Sequence, residues 1–283
     1  MKTTPPKYID RIVLGDCVEG MRRLPDGCID MTLTSPPYGE IRRYGDHPFG
    51  FEKFQAVAGE LFRLTKRGGV VVWVVREQAP RGKGETGDGS RQRLHFQEVG
   101  FRLHHTMVMD RVGCRWPGRN RYGQPLEFAF ILSKGRPKSV HLIRDRENRH
   151  AGKINNFIKR TVDGRIEPAG KPQVIGALGV RGAVWSYAVG RNVSTKDHYA
   201  LVGHSALMPE KMAEDHIASW SLPGDLILDP FCGAATTCKM ALLSHRRYLG
   251  FEVHEPYYEL GLRRMLDAPK EYRRRLDAWL VGA

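Results

Sequence analysis

The chain lacks the features that would assign it to several common classes. Its 283 residues include only five cysteines, Cys17, Cys28, Cys114, Cys232 and Cys238, and no two form a CxxC pair. An odd number at these spacings argues against a disulfide framework and against a zinc ribbon, so no metal is expected. No cysteine follows a proline. No stretch approaches the twenty apolar residues of a membrane span, and the start, MKTTPPKYID, lacks the apolar run of a secretory signal. A cytoplasmic protein with no membrane partner is the expectation. Neither GxGxxG nor GxxxxGK(S/T) occurs, and the Gly-Lys-Gly near residue 83 lacks the flanking strand and helix of a phosphate loop. Acidic residues are also scarce, 31 against 45 Lys and Arg, for a net charge of +14. An excess of this size fits a polyanionic partner such as nucleic acid.

What is present supports an α/β fold. Hydrophobic residues make up 41% of the chain, enough for a sizeable core. A strand over Ile9–Leu14 ends at Gly15-Asp16, and a short helix stops near Pro25-Asp26-Gly27. A second strand, Ile29–Thr34, runs into a proline corner. FEKFQAVAGELFRLTKRG carries apolar residues at helical spacing, with Gly68-Gly69 as its stop. The unbroken apolar run Val70–Val75 predicts a strand buried on both faces. Strand, helix and strand in this order predict a parallel sheet with crossover helices. Residues 78–93, glycine-rich and basic, read as a mobile loop. RLHHTMVMDRV and LEFAFILSKG read as strands. From Lys134 to Lys171 the chain changes character, with 11 Lys and Arg against 4 Asp and Glu, a local excess of +7 and few apolar residues. This reads as an insertion outside the core, reaching to about residue 195. The last third returns to α/β order: a helix after Pro209, the strand DLILDP, a glycine turn and helix, the strand RRYLGFE and a final helix.

Two stretches carry chemistry. In TLTSPPYGE, residues 32–40, two prolines remove two backbone donors and fix two φ angles, leaving a stiff corner between a hydroxyl and an aromatic ring. In DLILDPFCGAATT, residues 225–237, a buried strand turns at Gly233 into a helix. That is the sequence form of a nucleotide-type site, where glycine permits close approach of backbone to ligand and the helix start favours an anion. Glu252 closes the next strand 23 residues after Asp229, the spacing at which a carboxylate can take both ribose hydroxyls. With no phosphate loop, a ribose-bearing cofactor without phosphate is indicated.

TSPPY followed by DPFCGAATT resembles the amino-methyltransferases of DNA, of the bacterial β class, in which a (D/S/N)PP(Y/F) motif precedes the DPFxG motif. The resemblance spans nearly the whole chain, including LGD near residue 15, KRGGVVVWV, EFAFILSKG and YLGFE. It implies a Rossmann-like, doubly wound and mostly parallel sheet that binds S-adenosylmethionine (AdoMet). It further implies methyl transfer to an exocyclic amino group of a base flipped out of double-stranded DNA. Such an amine is a poor nucleophile because its lone pair is delocalised. The family's pattern gives the accepting oxygens to Ser35 and to the carbonyl of Pro36, preset by Pro37, with Tyr38 stacking on the base. For the cofactor it implies Asp16 toward the adenine amine, Thr34, Asp229, Phe231, Gly233 and Thr236 around the methionine and adenosine, and Glu252 on the ribose. The alternative reading of Asp16 is the N-cap of the short helix that follows it. The chain departs from the family's DPFxGSGTT at Ala234 and Ala235, and its GHSALMPEK only partly matches the usual opening of the preceding helix, which makes His204 and Lys211 minor candidates.

The resemblance divides the chain into a catalytic half, 1–133, a basic target-recognition region, 134–195, and an AdoMet-binding half, 196–283. DNA contacts are expected from the basic stretch 134–171 and the loop 78–93. Serine at the head of the motif is more like the cytosine-N4 members, adenine-N6 being the alternative. A C5-cytosine enzyme is disfavoured, because it needs the absent Pro-Cys. An RNA substrate is disfavoured by motif order, and a non-catalytic DNA-binding protein finds its only support at Ala234-Ala235. A homodimer and a cognate restriction endonuclease are both compatible with the family.

Overall fold

The computed structural model describes residues 6–37, 49–79, 84–112, 122–123, 125–190, 193–203 and 207–281. Tyr38, Cys114 and His204 lie outside the described residues. The chain divides into a large unit, residues 1–141 and 184–283, and a small one, Leu142–Ala183.

The large unit is built on one eight-stranded sheet among the described residues. In chain order its elements are β1 (Arg11–Leu14), α1 (Cys17–Arg22), β2 (Ile29–Thr34), α2 (Phe51–Leu64), β3 (Thr65–Val75), α3 (Asp88–Val99), β4 (Arg102–Val112) and β5 (Leu126–Ser133). Past the small unit, whose strands are β6–β11, come β12 (Val184–Ala188), α4 (His198–Gly203), α5 (Glu210–Trp220), β13 (Leu226–Asp229), α6 (Thr236–Leu243), β14 (Arg247–Glu252) and α7 (Glu255–Val281). The strand order is β1-β14-β13-β2-β3-β5-β4-β12, and only β5 runs antiparallel to its neighbours. The doubly wound, mostly parallel sheet expected from the sequence is therefore present.

Burial explains the central strands. Every residue of β2 and of β13 is buried, as a strand covered on both faces requires, including the polar Asp30, Thr32 and Thr34 of β2. Helices α1 to α3 form one layer and α5 to α7 the other. Trp73, Phe54 and Phe96 make the aromatic centre of the first layer, with ring centroids 5.1–5.6 Å apart, and the Trp73 indole donates to Gln92 Oε1 at 2.8 Å. Gly20 of α1 sits so close to Phe251 of β14 that a Cβ there would lie 2.2 Å from the ring.

Three local expectations need correction. Residues 78–93 are not one loop, because α3 begins at Asp88. Glu77 accepts from Ser90 N at 3.0 Å and so ties down the helix start, and Gln92 is buried in the core. The helix expected to run to Gly68-Gly69 stops at Leu64. Thr65 turns extended (φ −66°, ψ 128°), its hydroxyl donates back to Leu61 O at 2.6 Å, and β3 starts there. The compact insertion is Leu142–Ala183, narrower than 134–195. Lys134 and Lys138 belong to the large unit, where they donate to Phe62 O and Asp30 Oδ1, each at 2.6 Å.

The small unit is a nested antiparallel ribbon. β6 (Arg144–Glu147) pairs with β11 (Leu178–Val180), β7 (Ile154–Asn155) with β10 (Gln173–Val174), and β8 (Ile158–Arg160) with β9 (Ile166–Pro168). Backbone bonds from Asn148 N to Ala177 O (2.9 Å) and from Ala169 N to Phe157 O (2.7 Å) carry the ladder between these pairs. The tip is closed by Thr161 and Arg165, which bond N to O at 2.9 Å. Nearly all of its strand residues are exposed. The unit carries nine Lys and Arg against four Asp and Glu, a net +5 (9 − 4). Three of the four acids are paired within the ribbon: Asp145 with Arg181, Glu167 with Lys159 and Asp163 with Arg165.

Candidate active site

The two motifs lie 195 residues apart in the chain, yet β13 pairs directly with β2, Ile227 opposite Met31 and Leu228 opposite Thr32. The strand order reverses direction at this junction, and such a switch point opens a crevice beyond the carboxyl ends of the strands. A cleft of about 1020 Å³ lies there. Its walls come from the segments that follow four strands: Gly15 to Cys17 after β1, Ser35 to Pro37 after β2, Pro230 to Ala234 with Thr236 and Thr237 after β13, and Val253 after β14. Asp229 and Glu252, the last residues of β13 and β14, face it as well.

Of the site residues expected from the sequence, Ser35, Pro36, Pro37, Asp16, Asp229, Phe231, Gly233, Thr236 and Glu252 line this one cleft. Thr34 does not. It is fully buried behind the wall, and its hydroxyl donates to Asp229 Oδ1 at 2.6 Å. Lys211 is also absent from the wall and pairs instead with Glu214 and Asp215 on its own helix.

The electrostatics follow from burial. Asp229 is largely buried at the cleft's edge, and burial pushes its carboxyl up to about 6 against the opposing bonds from Thr34 and from Phe231 N. Burial also raises Glu252. Gly233 N (2.7 Å) and His254 N (2.9 Å) donate to its two oxygens and offset part of that rise. Asp16 caps α1 by accepting from Val18 N at 2.8 Å and Glu19 N at 3.2 Å, while its other oxygen is paired with Lys53. Partial burial raises this carboxyl, but Lys53 and the two amides outweigh it and hold the group below the ordinary carboxylate range. The capping role and a place on the cleft wall are thus both realised at Asp16. Phe231 meets Phe49 edge-on at 5.1 Å and gives the cleft an apolar side.

The Ala234-Ala235 departure has a visible consequence. Ala235 adopts a left-handed conformation, φ 61° and ψ 32°, just before α6. That is a backbone region glycine enters freely, and a Cβ there costs about 1–2 kcal/mol. The turn is held by a side chain that sequence reasoning missed. Arg264 of α7 is fully buried and donates to Ala234 O at 2.5 Å, Thr236 Oγ1 at 2.9 Å, Glu210 Oε1 at 2.7 Å and Asp197 Oδ2 at 2.8 Å. Lys239 of α6, 1% exposed, meets Asp197, Glu210 and Glu271, each at 2.8 Å. Five charges from four separate segments converge behind the turn, and no spacing in the sequence links them.

The carboxylates on two strand ends, the glycine turn and the apolar ring fit a nucleoside cofactor. The proline corner beside them presents a hydroxyl-bearing serine to the same space. The DNA methylase family of N6- and N4-amino methyltransferases matches residues 29–263. The chain belongs to this family.

The methylase is 43% identical over 256 residues to the orphan methyltransferase M.BamHII of Bacillus amyloliquefaciens, covering 89% of this chain and 90% of that protein. It is 26% identical to the DNA adenine methyltransferase YhdJ of Escherichia coli, covering 92% and 84% of the two chains. Among solved structures it resembles the cytosine-N4-specific PvuII DNA methyltransferase, with a TM-score of 0.68 at 18% identity over 94% of this chain and 92% of that one. It also resembles a Thermus thermophilus DNA modification methylase, solved with S-adenosyl-L-methionine, with a TM-score of 0.60 at 20% identity over 92% and 96%. Among the described residues no helix of the methylase is long and apolar enough to cross a membrane.

Proposed function

We propose that this DNA methylase transfers the methyl group of AdoMet to the N4 amine of cytosine in duplex DNA. The observation that carries the reading is Ser35. A neutral hydroxyl stands at the head of the proline corner, on the wall it shares with Asp229, Gly233 and Glu252. In this reading Ser35 Oγ and the Pro36 carbonyl accept the two hydrogens of the target amine and localise its lone pair. The proline pair presets that carbonyl, so little reorganisation is left for the transition state. AdoMet supplies an electrophilic methyl group when bound. Glu252 takes the ribose hydroxyls, Phe231 packs against the nucleoside, and the start of α6 lies toward the carboxylate end. No covalent intermediate is needed, which agrees with the four described cysteines being buried.

The basic ribbon Leu142–Ala183 is the proposed DNA-recognition element, and a two-stranded ribbon has the width to enter a major groove. Arg144, Arg149, Lys153, Arg160 and Lys171 have no acidic partner among the described residues and would face phosphate or base edges. Adenine-N6 methylation is the second reading, favoured by the adenine specificity in the name of the 26%-identical relative. The test is to incubate the protein with AdoMet and unmodified DNA rich in sequence contexts, digest to nucleosides and identify the product by mass spectrometry. N4-methylcytosine is expected. N6-methyladenine would overturn the base assignment and keep the mechanism.

A further inference from the structure

The ribbon Leu142–Ala183 leaves large aliphatic side chains in water. Ile158 and Ile166 are 69% and 61% exposed, and one ladder inward the directly paired Ile154 and Val174 are 66% and 68% exposed. Single apolar residues on a surface are ordinary, but clustered ones mark a contact. The register sorts the tip into two sides. In β8 and β9, Ile158 stands opposite Pro168, Lys159 opposite Glu167 and Arg160 opposite Ile166. Facing residues share a side, and the side alternates along a strand. One side of the tip therefore carries Ile158, Pro168, Arg160 and Ile166, and the other carries the Lys159–Glu167 pair, 3.6 Å apart.

Charge decides what the apolar side meets. Among the paired residues of β8 and β9 it holds a cation, Arg160, and no acid, while the carboxylate of Glu167 lies on the other side. A polyanion is therefore accepted on the side that also offers two isoleucines. DNA supplies an apolar complement at one place on its base edges, the C5 methyl of thymine, which stands in the major groove. We infer that the Ile158–Ile166 side of the ribbon faces the floor of the major groove and reads thymine methyl groups, with Arg160 held by a flanking phosphate. The recognition sequence then contains at least one A·T pair whose thymine methyl touches Ile158 or Ile166. The inference rests on the reading of the ribbon as the DNA-recognition element and adds the kind of base pair that it reads.

The test uses the full-length protein with AdoMet. The recognition sequence is first read from the contexts of the methylated base in a DNA library. Duplexes are then made in which each thymine of that sequence is replaced in turn by deoxyuridine, which lacks only the C5 methyl, and binding is followed by fluorescence anisotropy. In wild type at least one replacement should weaken binding by about three- to tenfold, the worth of one desolvated methyl group. In the double variant Ile158→Ala, Ile166→Ala the thymine and deoxyuridine duplexes should bind equally. Melting curves check folding, and sedimentation checks the assembly state. A recognition sequence without an A·T pair, a wild type indifferent to every replacement, or a preference that survives in the double variant would each overturn the inference. So would a loss of self-association in the double variant, which would make a second copy of the chain the occupant of this side. Arg160→Gln separates the inference from the reading beneath it. If that variant weakens DNA binding while the methyl preference survives in the double variant, the inference alone fails. If neither variant changes DNA binding, or wild type neither binds nor methylates duplex DNA, the reading of the ribbon fails with it.

Discussion

Replacing Arg264 by Met tests whether the cofactor turn is fastened from behind. The guanidinium is fully buried and makes charge-assisted bonds to Asp197 at 2.8 Å and Glu210 at 2.7 Å, besides holding Ala234 O and Thr236 Oγ1. Methionine fills much of the same volume, so the cavity contribution is small. What remains is a cluster of three carboxylates, Asp197, Glu210 and Glu271, that share the Lys239 ammonium. Removing one partner of a buried pair costs about 3–5 kcal/mol, because a desolvated charge is left uncompensated. At about 2–4 °C per kcal/mol for a chain of this size, the melting temperature should fall by roughly 10 °C. The assay is urea unfolding followed by circular dichroism, with a thermal melt alongside. Glu210→Gln in the same background should recover part of the loss, since it removes one of the stranded charges, and the double-mutant cycle should show coupling above about 1 kcal/mol. A loss under about 1 kcal/mol at unchanged denaturant slope would refute the argument and mean that water or a rearranged Lys239 satisfies the carboxylates.

Other outcomes are equally specific. Gly20→Ala should cost about 1–3 kcal/mol, because the new Cβ meets the buried Phe251 ring at 2.2 Å, and a urea midpoint within error of wild type would contradict that packing. Asp229 has its folded-state carboxyl raised from 3.8 to about 6, so stability tied to its protonation is full below pH 3.8 and is lost as pH rises through 6. Asp229→Asn should therefore flatten the stability profile between about pH 4 and 7, by an amount on the order of 3 kcal/mol, as read from urea midpoints across that window. Ser35→Ala should lower kcat by about 10²–10³-fold while AdoMet affinity stays put, measured by single-turnover methyl transfer and titration. Arg160→Gln and Lys153→Gln should each weaken DNA binding and reduce the magnitude of its log–log salt slope by about 1 for each phosphate no longer neutralised, with AdoMet binding unchanged.

The sheet is legible in the sequence because its inner strands are covered on both faces. Val70–Val75 could hardly be anything but buried strand, whereas β2, IDMTLT, alternates apolar and polar residues like a half-covered strand, and its burial on both faces is a fact of the structure. What the sequence hides has physical reasons. The α3 segment DGSRQRLHFQEV buries only Gly89, Gln92 and Phe96, so its apolar stripe is too thin to read, and the Gln92–Trp73 bond that anchors it is a tertiary fact. The ribbon strands are two to four residues long and exposed on both faces, leaving no alternation for a pattern to follow. At the site, Asp16 and Glu252 can be named from their places at strand ends. Lys53, Lys239 and Arg264 sit on helices among many other cations, and only packing sets them apart. Thr34 lies one layer deeper than its place in the motif suggests, because a strand residue one position before the corner points into the protein.

The pairing of β13 with β2 also governs how this chain can be made. β2 leaves the ribosome some two hundred residues before the strand that completes its side of the sheet, and β14 comes later still, to fill the gap between β1 and β13. Until residues 226–252 emerge, β1 and β2 have no mutual partner and present bare edges. A nascent chain halted in the ribbon should therefore be protease-sensitive and in need of a holding chaperone. A separately synthesised C-terminal piece that carries β13 and β14 should be able to dock into that opening and close the sheet from outside.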